Sequence, residues 1–177
     1  MMIISNSSPL ILLAKINKIE LLKKMYFTVN IPPGVYQEVV VRGKEEKYSD
    51  AYLIERCIDD FIVIKKLYEE GREKARKLNK MVGKGESEAI ALALQEKADM
   101  LLIDNLEPRK VAESNNVKCR STPGILLEAL KKEKISYEEY SDAIKELSSF
   151  AWLSGDIVAF FLEKGHQLKE GKKNENK

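Results

Sequence analysis

Apolar positions along this chain follow two rhythms. Short segments that read as strands occupy Met2 to Ser5, Phe27 to Ile31, "FIVIKK", "DMLLID" and "VKCRS". The apolar run of "DMLLID", closed by an aspartate at each end, has the pattern of a strand buried on both faces. Between these runs apolar residues return every three or four positions, the period of a helix with one buried stripe. The first such segment, "NSSPLILLAKINKIELLKKM", follows the first run at once, with Asn6, Ser7 or Ser8 as N-cap and Pro9 in the first turn. Further helices are predicted in "PPGVYQEVVV", "AYLIERCI", "EEGREKARKLNKM", "GKGESEAIALALQEK", "EPRKVAESNN" and "TPGILLEALKKEK". Two more follow, in "SYEEYSDAIKELSSF" and "LSGDIVAFFLEKG". Strands alternating with helices in this way imply βαβ units: an α/β chain with a central, mostly parallel sheet and helices on both faces.

Such a sheet directs attention to particular residues. Ligands of open parallel sheets gather beyond the carboxyl ends of the strands. There the first strand delivers Asn6, and "MLLID" delivers Asp104 followed by Asn105. In the helix between them, Glu86 shares its face with Ala89, Ile90, Ala93 and Leu94, all within about 80° at 100° per residue, whereas Glu88 and Gln95 fall opposite. Glu86 is thus expected to face inward and Glu88 outward. Glu38 lies in a helix that is apolar nearly all round, which leaves its facing open.

Each of these residues has an ordinary use as well. A carboxylate in the first helical turn complements the helix dipole, an aspartate after a strand makes a turn, an exposed glutamate is solvated, and asparagine caps helices. Their conjunction carries more weight. Acids collected at one sheet end repel unless a cation sits among them. Hard oxygen donors with no histidine or cysteine are the ligands of Mg²⁺ or Mn²⁺.

Composition narrows the chemistry further. The 177 residues are 44% hydrophobic, enough for one buried core, and 30 Lys+Arg against 28 Asp+Glu leave a net charge of +2. That balance excludes a protein that coats nucleic acid by charge alone. The sole histidine, His166, falls in the polar stretch 166–177, which excludes a Ser-His-Asp or Cys-His mechanism. Cys57 and Cys119 stand apart, with no C-x-x-C spacing, so neither a zinc site nor a disulfide framework is indicated. "GKGES" lacks the phosphate-loop pattern, and no G-x-G-x-x-G follows the first strand. No window approaches a membrane span. The expectation is therefore a soluble, cytoplasmic protein without a membrane partner.

Four motifs taken together resemble a known family. "ISNSSPLILLAK", "IPPGVYQEVV", "GKGESEAIALALQEKADMLLIDN" with "PRKVAE", and "TPGILLEALKK" are similar, in that order, to the PIN-domain nucleases, in particular the VapC-like prokaryotic branch. The resemblance covers residues 2 to 165. It implies a three-layer α/β/α PIN-like domain over 1–165, followed by a polar, disordered tail over 166–177. It also implies an acidic pocket holding Mg²⁺ or Mn²⁺ and cleavage of single-stranded RNA. Many relatives are toxins of toxin–antitoxin pairs, so an antitoxin partner and a homodimer are implied as well.

Carried over residue by residue, the four metal-binding positions fall on Asn6, Glu38, Glu86 and Asp104, and Ser8 matches the small hydroxyl residue near the first. The three acids are the catalytic set. Lys84 and Arg109 flank the acids in sequence and are expected to contact phosphates. Asn6 departs from the aspartate usual at the first position, and its amide brings an oxygen without a charge. Two alternatives remain: a PIN-fold protein with weak or lost catalysis that acts by binding RNA or a partner, and an RNA-processing nuclease.

Overall fold

A computed structural model describes residues 1–151 and 153–175, with side chains through residue 171. The chain divides into two compact units, Met1–Ser121 and Thr122–Lys177. The first unit contains a five-stranded sheet formed by β1 (Ile3–Ser5), β2 (Val29–Ile31), β3 (Ile62–Ile64), β4 (Met100–Leu102) and β5 (Cys119–Arg120), in the order β3-β2-β1-β4-β5. Every pairing is parallel, with Ile4 opposite both Asn30 and Leu101. All five predicted strands form, at slightly shorter lengths, and the architecture is the expected α/β/α with a parallel central sheet. The inner strands are short and mostly apolar because both their faces are covered: Ile3, Ile4, Val29, Ile31, Leu101 and Leu102 are completely buried, and the polar Ser5 and Asn30 are buried with them.

The chain moves outward from β1 to β2 and β3, then crosses back to place β4 on the other side of β1. Strand order therefore reverses between β1 and β4, the point at which parallel sheets open a crevice at their carboxyl ends. The backbone N–H of Asn6 donates to the Leu102 carbonyl at 3.1 Å, which holds the two strand exits side by side.

The predicted helix after β1 is two helices, α1 (Ser7–Lys15) and α2 (Leu21–Tyr26). Asn17 interrupts them in the left-handed region at φ 51°. The Lys18 N–H reaches back to the Leu13 carbonyl at 2.7 Å and the Asn17 N–H to that of Ala14 at 3.0 Å. This is a Schellman C-cap with asparagine in the place more often held by glycine.

The segment beginning at Pro33 is helical through Glu45, but its middle is wider than an α-helix. α3 (Pro33–Tyr36) passes into a π-helical stretch, Gln37–Arg42, and then into α4 (Gly43–Glu45). α5 (Ser49–Cys57) and α6 (Glu69–Leu78) precede α7 (Lys84–Gln95), and α8 (Leu106–Ser114) joins β4 to β5.

α7 is buried on more than the predicted stripe. Ser87 and every residue from Ala89 to Ala93 are buried, because α3 and α6 pack against it as well as the sheet. The residues expected to face solvent are thereby engaged. Glu88 accepts from the Gly34 N–H at 2.7 Å, and Gln95 accepts from the Tyr68 N–H at 2.8 Å.

The second unit consists of α9 (Thr122–Lys131), α10 (Tyr137–Phe150) and α11 (Gly155–Glu175). α10 starts on a capping box, in which the Glu139 N–H donates to Ser136 Oγ at 3.1 Å and the Ser136 N–H to Glu139 Oε2 at 2.8 Å. The buried Tyr140 hydroxyl donates to the Phe161 carbonyl at 2.6 Å and ties α10 to α11. Residues 166–175, expected to form a polar tail, continue α11 as helix, while 176 and 177 lie outside the described residues. No described helix is long and apolar enough to cross a membrane.

Candidate active-site cleft

At the carboxyl end of β1 a cavity of about 440 Å³ opens between α1, the π-helical segment and the start of α7. Five of the residues singled out in the sequence line it: Asn6, Ser8, Glu38, Lys84 and Glu86. Asn6 arrives directly from β1 and is buried; its side-chain oxygen accepts from the Ser8 hydroxyl at 3.2 Å. Ser8, matched in the sequence to the small hydroxyl residue near the first position, thus touches the Asn6 side chain. Asn6 occupies the N-cap position of α1, but its side chain makes no cap hydrogen bond.

Glu38 comes from the π-helical segment, and its Oε2 accepts from the Ser7 hydroxyl at 2.6 Å. Gly85, in the first turn of α7, lies directly against this carboxylate. A Cβ there would stand 2.7 Å from Glu38 Oε2, closer than such atoms approach in proteins. The missing side chain is what lets helix α7 and the glutamate share the cleft wall.

Glu86 accepts the Gly83 N–H at 3.0 Å, one half of a capping box across the turn that starts α7. Its other oxygen accepts from Asn105 Nδ2 at 2.6 Å. The residue after β4 that meets Glu86 is thus Asn105, which lines the cleft. Asp104, one residue earlier, is half-buried at the strand end and is not among the lining residues. Arg109 does not line it either: its Nε donates to Glu113 Oε1 at 2.8 Å along α8. Sequence reasoning missed Ser7 and Arg42 as cleft residues. The only signal for Arg42 was its position four residues after Glu38, on the same side of a helix.

The two cleft carboxylates are held by neutral donors, a hydroxyl, a backbone N–H and an amide. Among the described residues no lysine or arginine is paired with either. Each carboxylate oxygen keeps at least one free lone pair, since it carries two and uses at most one. Their negative charge is therefore directed into the cleft, where it draws cations.

Among the described residues no three carboxylate, imidazole or thiolate side chains converge as a metal-binding group. The donors available are two carboxylates, amide oxygens and hydroxyls. This set fits Mg²⁺ or Mn²⁺: small hard cations keep several waters and bind through one or two carboxylates together with substrate phosphates. It does not suit zinc or copper, which favour imidazole and thiolate.

None of the curated proteins compared matches this chain. A family model described as a PIN domain matches residues 2–167, nearly the whole chain and all of the elements that build the cleft. PIN domains are nuclease folds that generally cleave nucleic acid with the help of divalent metals. By fold and by family match alike, this chain belongs to the PIN-domain family.

Proposed function

We propose that the chain is a Mg²⁺- or Mn²⁺-dependent endoribonuclease of the VapC-like branch, cleaving single-stranded RNA as the toxin of a toxin–antitoxin pair. The observation that carries the nuclease reading is the convergence of Glu38 and Glu86 on one cleft at the reversal point of a PIN-fold sheet. Glu38, Glu86 and the Asn6 side-chain oxygen hold the cation inside the cleft, and Asp104, at the exit of β4 and not among the cleft-lining residues, acts on it from further out. The Ser7 hydroxyl fixes the orientation of Glu38, and Asn105 that of Glu86, each through its 2.6 Å hydrogen bond. When bound, such an ion supplies an acidified water and neutralises charge growing on the phosphodiester. The cationic ends of Arg42 and Lys84, in the same cleft, neutralise phosphate oxygens on either side of the bond to be cut. No histidine is needed as base.

The test is cleavage of a mixed single-stranded RNA in Mg²⁺, Mn²⁺ or EDTA by the wild type and by Glu38→Gln, Glu86→Gln and Asp104→Asn. Cleavage that is metal-dependent and falls at least 100-fold in Glu86→Gln is the expected result. Equal cleavage by wild type and all three variants would remove the assignment.

One observation favours a second reading, a PIN-fold protein that binds RNA or a partner without cutting. The first strand ends in an uncharged amide, Asn6, leaving two carboxylates in the cleft. Cleavage appearing only in Asn6→Asp would support that reading, and an active wild type would eliminate it.

A further inference from the structure

The cleft adjoins a second cavity. Behind Lys84, a groove of about 240 Å³ opens along α6 and the first turns of α7, and Lys84 lines both cavities. The groove is cationic: besides Lys84 it is lined by Arg72 and Arg76, four residues apart on α6 and hence on one side of that helix. Both arginines lean on a single acid. Arg72 Nη2 stands 3.0 Å from Glu69 Oε2, and Arg76 Nη2 stands 3.3 Å from Glu69 Oε1. Two guanidinium groups sharing one carboxylate retain a net positive charge. All three side chains are more than half exposed, and ion pairs in that setting contribute about 0–1 kcal/mol, so a phosphate can displace them. The acid of the groove itself, Glu88, is turned to the Gly34 N–H.

We propose that this groove is a second nucleic-acid subsite, in which Arg72 and Arg76 take backbone phosphates next to the one held in the acidic cleft and Lys84 spans the two. The inference rests on the nuclease reading above and adds to it a path for the strand beyond the cleft. A groove of this size admits the backbone of one strand, not a duplex. Phosphate contacts of this kind position the substrate without reading its sequence.

The experiment measures binding of a fluorescein-labelled uridine dodecamer in EDTA over a series of KCl concentrations, for the wild type, Arg72→Ala/Arg76→Ala and Arg72→Lys/Arg76→Lys. Alanine and lysine both sustain a helix, so α6 is retained. Each phosphate contact on a single strand contributes about 0.7 to the slope of log affinity against log salt. The alanine pair is therefore expected to lower the slope by about 1.4, the lysine pair to restore it, and affinity for a uridine dinucleotide to stay at the wild-type value. An unchanged slope in the alanine pair, alongside RNA binding and cleavage by the wild type, overturns the subsite and leaves the nuclease reading intact. An equal loss of dinucleotide and dodecamer affinity also overturns it, because the arginines would then act on the cleft. A wild type that neither binds nor cuts RNA removes the nuclease reading, and the subsite with it.

Discussion

Replacing Gly85 with alanine separates the stability of this fold from its chemistry. The new methyl would stand 2.7 Å from Glu38 Oε2, while Ser7 Oγ at 3.6 Å and Val35 Cγ2 at 3.7 Å remain in ordinary contact. Only the end of a flexible, exposed side chain has to give way, by about 0.7 Å to reach an unstrained separation of about 3.4 Å. Backbone and core are untouched, and alanine favours the helix by up to about 1 kcal/mol over glycine. Against that stands the Ser7–Glu38 hydrogen bond, of about 1 kcal/mol. The two nearly cancel, so the unfolding midpoint is expected to stay within about 4 °C of wild type for a chain of this size. The carboxylate, however, is driven off its position in the cleft it lines with Glu86. A metal-site ligand displaced by that much costs at least about 1.4 kcal/mol, a tenfold loss in Mn²⁺ affinity. Thermal unfolding and Mn²⁺ titration calorimetry on the same preparation measure both quantities. Wild-type Mn²⁺ affinity in Gly85→Ala would refute the placement of Glu38 in a metal site, however stable the variant proved.

Two further outcomes follow from the structure. Glu88→Ala removes the acceptor for the Gly34 N–H, which lies in the first turn of α3 and has no partner within the helix; loss of such a cap costs about 1 kcal/mol. The midpoint by calorimetry should drop by about 2–4 °C, and an unaltered midpoint would mean that this bond contributes nothing. Burial pushes the thiols of Cys57 and Cys119 up to about 11, so at pH 8 about one in a thousand is thiolate. Iodoacetamide should modify native protein far more slowly than free glutathione, with the rate climbing through pH 11. Because the folded-state values are raised, stability from this source is complete below the unfolded thiol value near 9 and is lost as pH rises toward 11. Alkylation at the glutathione rate near pH 8 would contradict the shielding of the buried Cys57 and the half-buried Cys119.

The sheet was legible because its inner strands are buried on both faces, and short apolar runs such as "DMLLID" have few other uses. Helix ends were less so: Asn17 closes α1 through a left-handed conformation that a search for glycine overlooks. Helical phase found Glu86 but misjudged Glu88, since 100° arithmetic assumes one buried stripe and α7 is covered by α3 and α6 as well. The same arithmetic could not fix Glu38, whose segment is π-helical and turns by a smaller angle per residue. Order along the strand ends identified Asn6 and the β4 exit. Which of Asp104 and Asn105 turns into the cleft depends on the backbone path after Ile103, and residue type alone does not encode it. The final polar stretch carries the composition of a tail, yet it continues a helix begun at Gly155, which a reading by composition does not register.

The tie between Glu88 and the Gly34 amide joins the helix that presents Glu38 to the helix that presents Glu86, through a carboxylate that does not itself line the cleft. The spacing of the two walls is therefore set by a carboxylate other than those the walls display. Shape and chemistry are inherited separately in such a scaffold. A descendant could exchange Glu38 or Glu86 for neutral residues and keep the groove, its width and its cationic margin. The same frame can pass from cutting a strand to merely holding one by changes at two or three positions, without refolding and without first losing its grip.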